Sequence, residues 1–259
     1  MKTSLIRSKA FAVFCLLFGV FGILLMAHHI FSYEAILRPH MDYLIENQII
    51  TNDKSGFTFL RMFTNESNIF VDVYLILFAL GVFGNEKLRR FTDNDGLRGG
   101  ITLYIAVTGI IYFCVLLPFG GGTFPTEING VSTGGMWFSN VVNTWNHLIT
   151  PVMFTAFWFF PVENRKIPKV KYALSYLIYP ICYFIMCIIW GAFDGFYPYP
   201  FLNGRQMFGM LFKDKVYSGA IGVGLLAAVV IILSAIFFGV GCALNAIHNK
   251  RIKEENKAD

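Results

Sequence analysis

Charge is what this chain of 259 residues has least of: Asp, Glu, Lys and Arg make up 14% of it, against roughly 25% in an ordinary soluble domain. With 28 Phe and a mean hydropathy of +0.58, that deficit excludes a disordered chain and a nucleic-acid partner, and it argues against a soluble globule. Long polar segments are scarce as well. The longest stretch outside the apolar runs, 32–56, has 25 residues, too few for a soluble domain of its own. The glycines Gly120-Gly121-Gly122 and Gly134-Gly135 lie in a segment without lysine, which excludes a P-loop and leaves a flexible connection over 119–136. Cys15, Cys114, Cys182, Cys187 and Cys242 all fall inside apolar runs, so they make neither a disulfide framework nor a zinc pattern and are read as buried, inert thiols. His28, His29 and His40, with Glu34 and Asp42 nearby, match no metal-ligand spacing. Neither a metal nor a cofactor is expected.

What is present is a set of bilayer-length apolar runs. Six spans are predicted, at about 9–31, 57–84, 99–118, 137–160, 171–192 and 216–246, in a single domain covering 1–259. The first follows Lys2, Arg7 and Lys9, but its apolar stretch is too long for a signal peptide and no cleavage pattern follows, so it is read as an uncleaved helix. Basic residues set the orientation. The N-terminus, the 85–98 and 161–171 segments and the C-terminal tail hold 15 of the 21 Lys and Arg. The intervening segments hold the other 6. The alternation predicts an all-α integral membrane protein of six transmembrane helices with both termini cytoplasmic. Gly219, Gly222, Gly224, Ala235 and Gly239 in the last span suit close helix packing.

Polar groups inside a bilayer are costly and tend to mark function. In the second span Thr64, Asn68 and Asp72 are four apart and share a helical face, with Glu66 and Arg61 close by. In the fourth, Asn140, Asn143 and His147 share another, and Pro151 is expected to kink the helix below His147. At about 1.5 Å per residue, a second helix starting near Phe57 puts Thr64 roughly 10 Å from its outer end. A fourth starting near Trp137 puts His147 roughly 15 Å in. A start near Phe63 would leave Thr64 too high to meet His147. Each residue also has a purely structural reading: Thr64 back-bonding to a helical carbonyl, the asparagines and His147 as interhelical glue, Arg61 snorkelling to the interface or neutralising Glu66.

Two aromatic features lie in the fifth span and after it. Tyr172, Tyr176, Tyr179 and Tyr183 recur at helical spacing as a packing stripe. The segment Trp190 to Asn203, with Tyr197-Pro198-Tyr199-Pro200-Phe201-Leu202, reads as a rigid lid-like element or an interfacial aromatic belt.

Three motifs carry a resemblance: Phe63-Thr64-Asn65-Glu66-Ser67-Asn68, His147 four residues before Pro151, and the Tyr-Pro-Tyr-Pro-Phe-Leu run. On these the chain resembles a bacterial family of predicted six-transmembrane proteins that looks related to the androgen-induced and androgen-dependent hydrolases. Those are six-helix threonine hydrolases of fatty-acid esters of hydroxy fatty acids. The resemblance implies Thr64 as nucleophile and His147 as its base, in a bacterial cytoplasmic membrane, with an acyl-chain lipid as substrate. Within that scheme Asp72 or an asparagine of the fourth helix would fix the imidazole tautomer. Asn68, Asn140 or Asn143 would donate to the oxyanion. Tyr183, Tyr197, Tyr199 and Phe201 would line the acyl tunnel. The rival readings are an acyltransferase acylated on Cys114, a lipid-binding protein without turnover, and a small-molecule transporter. No repeats or broken helices of the transporter kind are visible.

Overall fold

The computed structural model describes residues 6–32, 34–35, 38–46, 60–119, 127–128, 131–132, 135–160, 169–212 and 215–258. The glycine-rich part of the 119–136 connection and most of 161–171 lie outside the described residues, as does the predicted start of the second span. The described chain is all-helical apart from a two-residue antiparallel pairing of Glu127–Ile128 with Val131–Ser132. Its helices are α1 (Lys9–Ser32), α2 (Met41–Glu46), α3 (Phe63–Val82), α4 (Glu86–Thr92), α5 (Asp95–Ile111), α6 (Gly135–Thr144), α7 (Thr150–Trp158), α8 (Lys169–Ser175), α9 (Ile178–Asp194), α10 (Gly204–Leu211) and α11 (Gly219–Ala258). A π-helical turn, Tyr112–Leu116, extends α5, and a second, Trp145–Ile149, joins α6 to α7.

Among the described residues, five helices are long and apolar enough to cross a membrane: Lys9–Ser32, Phe63–Val82, Asp95–Cys114, Lys171–Asp194 and Gly219–Glu254. They coincide with the first, second, third, fifth and sixth predicted spans. The fourth predicted span is helical from Gly135 to Trp158 but divided by the Trp145–Ile149 turn. The exposed face of α1 is as apolar as its buried one. On α1, Val13, Phe14, Leu17, Val20, Phe21 and Leu24 are all exposed, the reverse of a water-facing helix.

The chain divides into two compact units, residues 1–166 with 247–259, and residues 167–246. In the first, α1 packs along α3, and glycines set the distance. A Cβ on Gly19 would lie 2.5 Å from the Asp72 carbonyl oxygen, and one on Gly22 would lie 2.3 Å from both Asp72 carboxylate oxygens. Only a bare Cα fits there. Gly84, at φ 126°, turns the chain out of α3 in a conformation that favours glycine. Asn85 and Asn94 then cap α4 and α5 by accepting backbone N–H groups. Phe18, Val71, Tyr74, Phe78, Ile105, Phe154 and Phe157 form the core between these helices.

In the second unit the tyrosine stripe of the fifth span packs as expected. Tyr172 meets Tyr176 and Tyr179 meets Tyr183, with ring centroids 6.4 and 6.2 Å apart. The Tyr176 hydroxyl donates to Asn245 Oδ1 over 3.1 Å. Gly195, at φ 74°, closes α9 in the left-handed conformation.

Candidate functional site

The site builds from two prolines. Proline has no N–H and cannot bond the carbonyl four residues back. Pro151 thereby leaves the His147 carbonyl without its helical donor, and Pro118 does the same to Cys114. Each proline follows the end of a π turn by two residues, Trp145–Ile149 before Pro151 and Tyr112–Leu116 before Pro118. In the first turn the Thr150 N–H bonds back to the Trp145 carbonyl, five residues away. The Asn146 carbonyl then receives neither that N–H nor one from Pro151. It is an orphan acceptor inside a helix.

Asn68 supplies the missing donor. Its Nδ2 lies 3.1 Å from the Asn146 carbonyl oxygen and 2.8 Å from the Thr64 carbonyl oxygen. One buried amide thus ties the first turn of α3 to the widened turn that carries His147. Asn146 reciprocates, its own Nδ2 donating to Asn65 Oδ1 over 3.3 Å. Ser67 Oγ meets Thr108 Oγ1 at 2.9 Å and lies 3.0 Å from the Thr64 carbonyl oxygen, which fixes the level of α5 beside the same turn. The Trp145 ring packs on Phe18 and Phe21 at 4.5 and 4.8 Å and holds the π turn against α1.

The imidazole of His147 is oriented from two sides. Nδ1 lies 3.0 Å from the Asn143 carbonyl oxygen. A carbonyl only accepts, so Nδ1 carries the hydrogen and, in the neutral ring, Nε2 keeps its lone pair. Nε2 has no partner among the described residues. The ring itself stacks on Tyr112, centroids 4.0 Å apart and planes 22° from parallel. The Tyr112 hydroxyl oxygen in turn accepts from Asn143 Nδ2 at 2.6 Å. Gly109 makes room for this stretch: a Cβ there would be 3.0 Å from the Pro151 Cβ and 3.4 Å from the His147 carbonyl oxygen.

Of the residues expected from sequence, Thr64, Asn68, Asn143 and His147 belong to this arrangement. The helix of Thr64 begins at Phe63, not near Phe57, with the extended residue Met62 as its cap. Thr64 therefore sits in the first turn, half-buried, and its hydroxyl has no hydrogen-bond partner among the described residues. Counting depth from the helix start alone put that turn too high for His147. The Asn68 bridge joins it to the His147 turn nonetheless, because the Asn146 carbonyl is presented sideways out of its helix.

Asp72 lies elsewhere. It is 2% exposed, and its carboxylate faces Gly22 of α1. The tautomer is fixed instead by the Asn143 backbone. Asn140 is exposed, Glu66 is half-buried in the first turn of α3, and Arg61 is half-buried just before it. Cys114 is exposed in the Tyr112–Leu116 turn.

Tyr183, Tyr197, Tyr199 and Phe201 belong to the second unit. There Tyr183 is buried in α9, Tyr197 covers Gly191, and the Tyr199 and Phe201 rings stack at 5.1 Å.

Sequence reasoning passed over Asn65, Ser67, Tyr112 and Asn146. The signal for two of them was present: Tyr112 stands six residues before Pro118, and Asn146 five before Pro151, in apolar runs. Among the described residues no three His, Cys, Asp or Glu side chains converge to hold a metal ion. Compared with family models, curated proteins and solved structures, the chain matches none.

Proposed function

We propose that the protein is a six-span enzyme of the bacterial cytoplasmic membrane, both termini cytoplasmic, that hydrolyses acyl esters of lipids with Thr64 as nucleophile and His147 as base. The observation that carries this reading is the bond from His147 Nδ1 to the Asn143 carbonyl. It leaves Nε2 as the basic atom, in a turn that Asn68 joins to the turn of Thr64. A threonine hydroxyl attacks only when a base takes its proton. Here Thr64 is held through its carbonyl and His147 through Nδ1, so both reacting atoms are kept out of the scaffold. The fourth span crosses the bilayer as α6, π turn and α7, and the basic residues flanking all six spans keep the alternation that sets orientation.

The reaction balances with water alone. Thr64 Oγ1 bonds to the ester carbonyl carbon while its proton passes to His147 Nε2. The tetrahedral intermediate collapses, and the departing alkoxide takes that proton and leaves as the alcohol. Water then attacks the acyl-threonine, giving a proton to Nε2. Collapse releases the carboxylic acid, and the Thr64 oxygen recovers the proton. The substrate class, long-chain esters such as fatty-acid esters of hydroxy fatty acids, follows the resemblance of the Phe-Thr-Asn, His-Pro and Tyr-Pro-Tyr-Pro-Phe-Leu motifs.

The test is turnover of a long-chain acyl ester by the purified protein, together with labelling by a fluorophosphonate. Thr64→Ala and His147→Ala are each expected to lower kcat at least about 100-fold. Labelling should vanish in Thr64→Ala. Full turnover in both variants overturns the reading. A label that persists in Thr64→Ala and maps to Cys114 replaces it with an acyl transfer through the exposed thiol.

A further inference from the structure

We infer that Tyr112 is the electrophilic partner of this site: its hydroxyl donates to the carbonyl oxygen of the bound ester and holds the oxyanion of the tetrahedral intermediate. The inference rests on the Thr64 and His147 reading and adds to it the group that selects an acyl carbonyl as the thing attacked.

The Tyr112 hydroxyl has a hydrogen to give. A hydrogen-bond donor for an oxyanion needs a hydrogen that the ground state leaves uncommitted. Asn68 Nδ2 spends both of its hydrogens, on the Thr64 and Asn146 carbonyls. Asn146 Nδ2 gives one of its two hydrogens to Asn65 Oδ1, and Asn140 is exposed. Asn143 Nδ2 gives one of its two hydrogens to the Tyr112 oxygen at 2.6 Å. In that last bond the tyrosine oxygen is the acceptor, so the phenol still holds its own hydrogen, for which no acceptor exists among the described residues. A donor that itself accepts a short hydrogen bond is also polarised by it.

Position supplies the second argument. Ser67 and Thr108 meet at 2.9 Å, and α3 and α5 run in opposite directions, since Tyr74 further along α3 bonds Thr92 before α5 begins. Tyr112 is four residues beyond Thr108, about 6 Å along the axis. Thr64 is three residues back from Ser67, about 4.5 Å in the same direction. The two therefore stand at nearly one level. The face of the Tyr112 ring is already against His147. Nucleophile, base and donor thus come from three helices at one height, and Asn143 serves two of them, holding His147 through its carbonyl and Tyr112 through its side chain.

The test compares Tyr112→Phe with wild type on the acyl ester. Phenylalanine keeps the ring stack on His147 and loses only the hydroxyl. We expect kcat to fall about 100-fold, the usual cost of one oxyanion donor, with KM within about twofold and fluorophosphonate labelling of Thr64 slowed but retained. A Tyr112→Phe enzyme with unchanged kcat overturns the inference while Thr64→Ala remains inactive. If Thr64→Ala stays active instead, the underlying reading has failed. Asn143→Ala gives a second measure should Tyr112→Phe not fold, because the backbone carbonyl that fixes His147 remains. It should lose part of kcat with KM kept, and an unchanged kcat overturns the inference as well.

Discussion

The two ends of the first unit solve the problem of buried polarity in opposite ways. At the Arg98 end the groups are charged and paired with each other, with Arg98 Nε left out of the hydrogen bonding among the described residues. Arg98 is 0% exposed, donates to Asp95 Oδ1 at 3.0 Å and to the Phe160 carbonyl at 2.9 Å, and lies 4.9 Å over the Trp158 ring, whose neighbour is the ring of His248 at 5.0 Å. At the Thr64 end the groups that tie the helices together are neutral, and several use only part of their bonding capacity. Thr64 is held by its carbonyl, His147 by Nδ1, and Tyr112 by its oxygen lone pair. The first arrangement is a lock, where an ion pair removed from water must be satisfied on the spot. The second is a scaffold that leaves a hydroxyl, a ring nitrogen and a phenol hydrogen to spare. The second end is the one whose hydroxyl, ring nitrogen and phenol hydrogen are not structural, which is why the proposed chemistry is placed there.

Arg98→Ala should break this contrast most severely. Removing one partner of a buried pair strands the other, at a cost of about 3–5 kcal/mol. Thermal unfolding in detergent should show a large fall in midpoint. Arg98→Lys should recover little, since bonding Asp95 and the Phe160 carbonyl at once while stacking on Trp158 needs the planar guanidinium. A loss under about 1 kcal/mol would remove the distinction between lock and scaffold.

Much of this was legible in the sequence. The apolar runs located the five helices long enough to cross a membrane and the divided helix of the fourth predicted span, and helical spacing put Thr64 with Asn68 and Asn143 with His147. What the periodicity hid was the effect of Pro118 and Pro151. A proline was expected to kink its helix. Its larger effect is to widen the preceding turn and release carbonyls, and this is what gives Asn146 a role although it lies off the Asn140–Asn143–His147 face. Asp72 misled for a related reason. Its spacing aligned it with Thr64, but the glycines of α1 that accept its carboxylate lie some fifty residues away in sequence, and single-helix periodicity carries no trace of them.

Pro151→Ala tests that account and should separate stability from activity. Alanine returns an N–H to the interior of the helix and favours a regular turn, where proline costs about 3 kcal/mol. The melting temperature should hold or rise. Turnover should fall at least about tenfold as the Asn146 carbonyl swings back into the helix and the Asn68 bridge is lost. A variant with full activity and an intact π turn would show that the turn does not depend on the proline.

The smallest effects compare single hydroxyls at the two ends. Tyr74→Phe removes a buried donor 2.7 Å from the Thr92 carbonyl, beside the lock. Ser67→Ala removes the contact to Thr108 beside the scaffold. Hydrogen bonds between membrane helices contribute about 0.6 kcal/mol on average, so each variant should lose only that much stability. Activity should respond differently. Ser67 sets the level of Tyr112 against Thr64, so Ser67→Ala should lower kcat several-fold, whereas Tyr74→Phe should leave it within about twofold. Displacement of a positioned group is felt in catalysis before it is felt in folding. Equal responses of the two variants would mean that the whole unit, and not the end carrying Thr64, governs turnover.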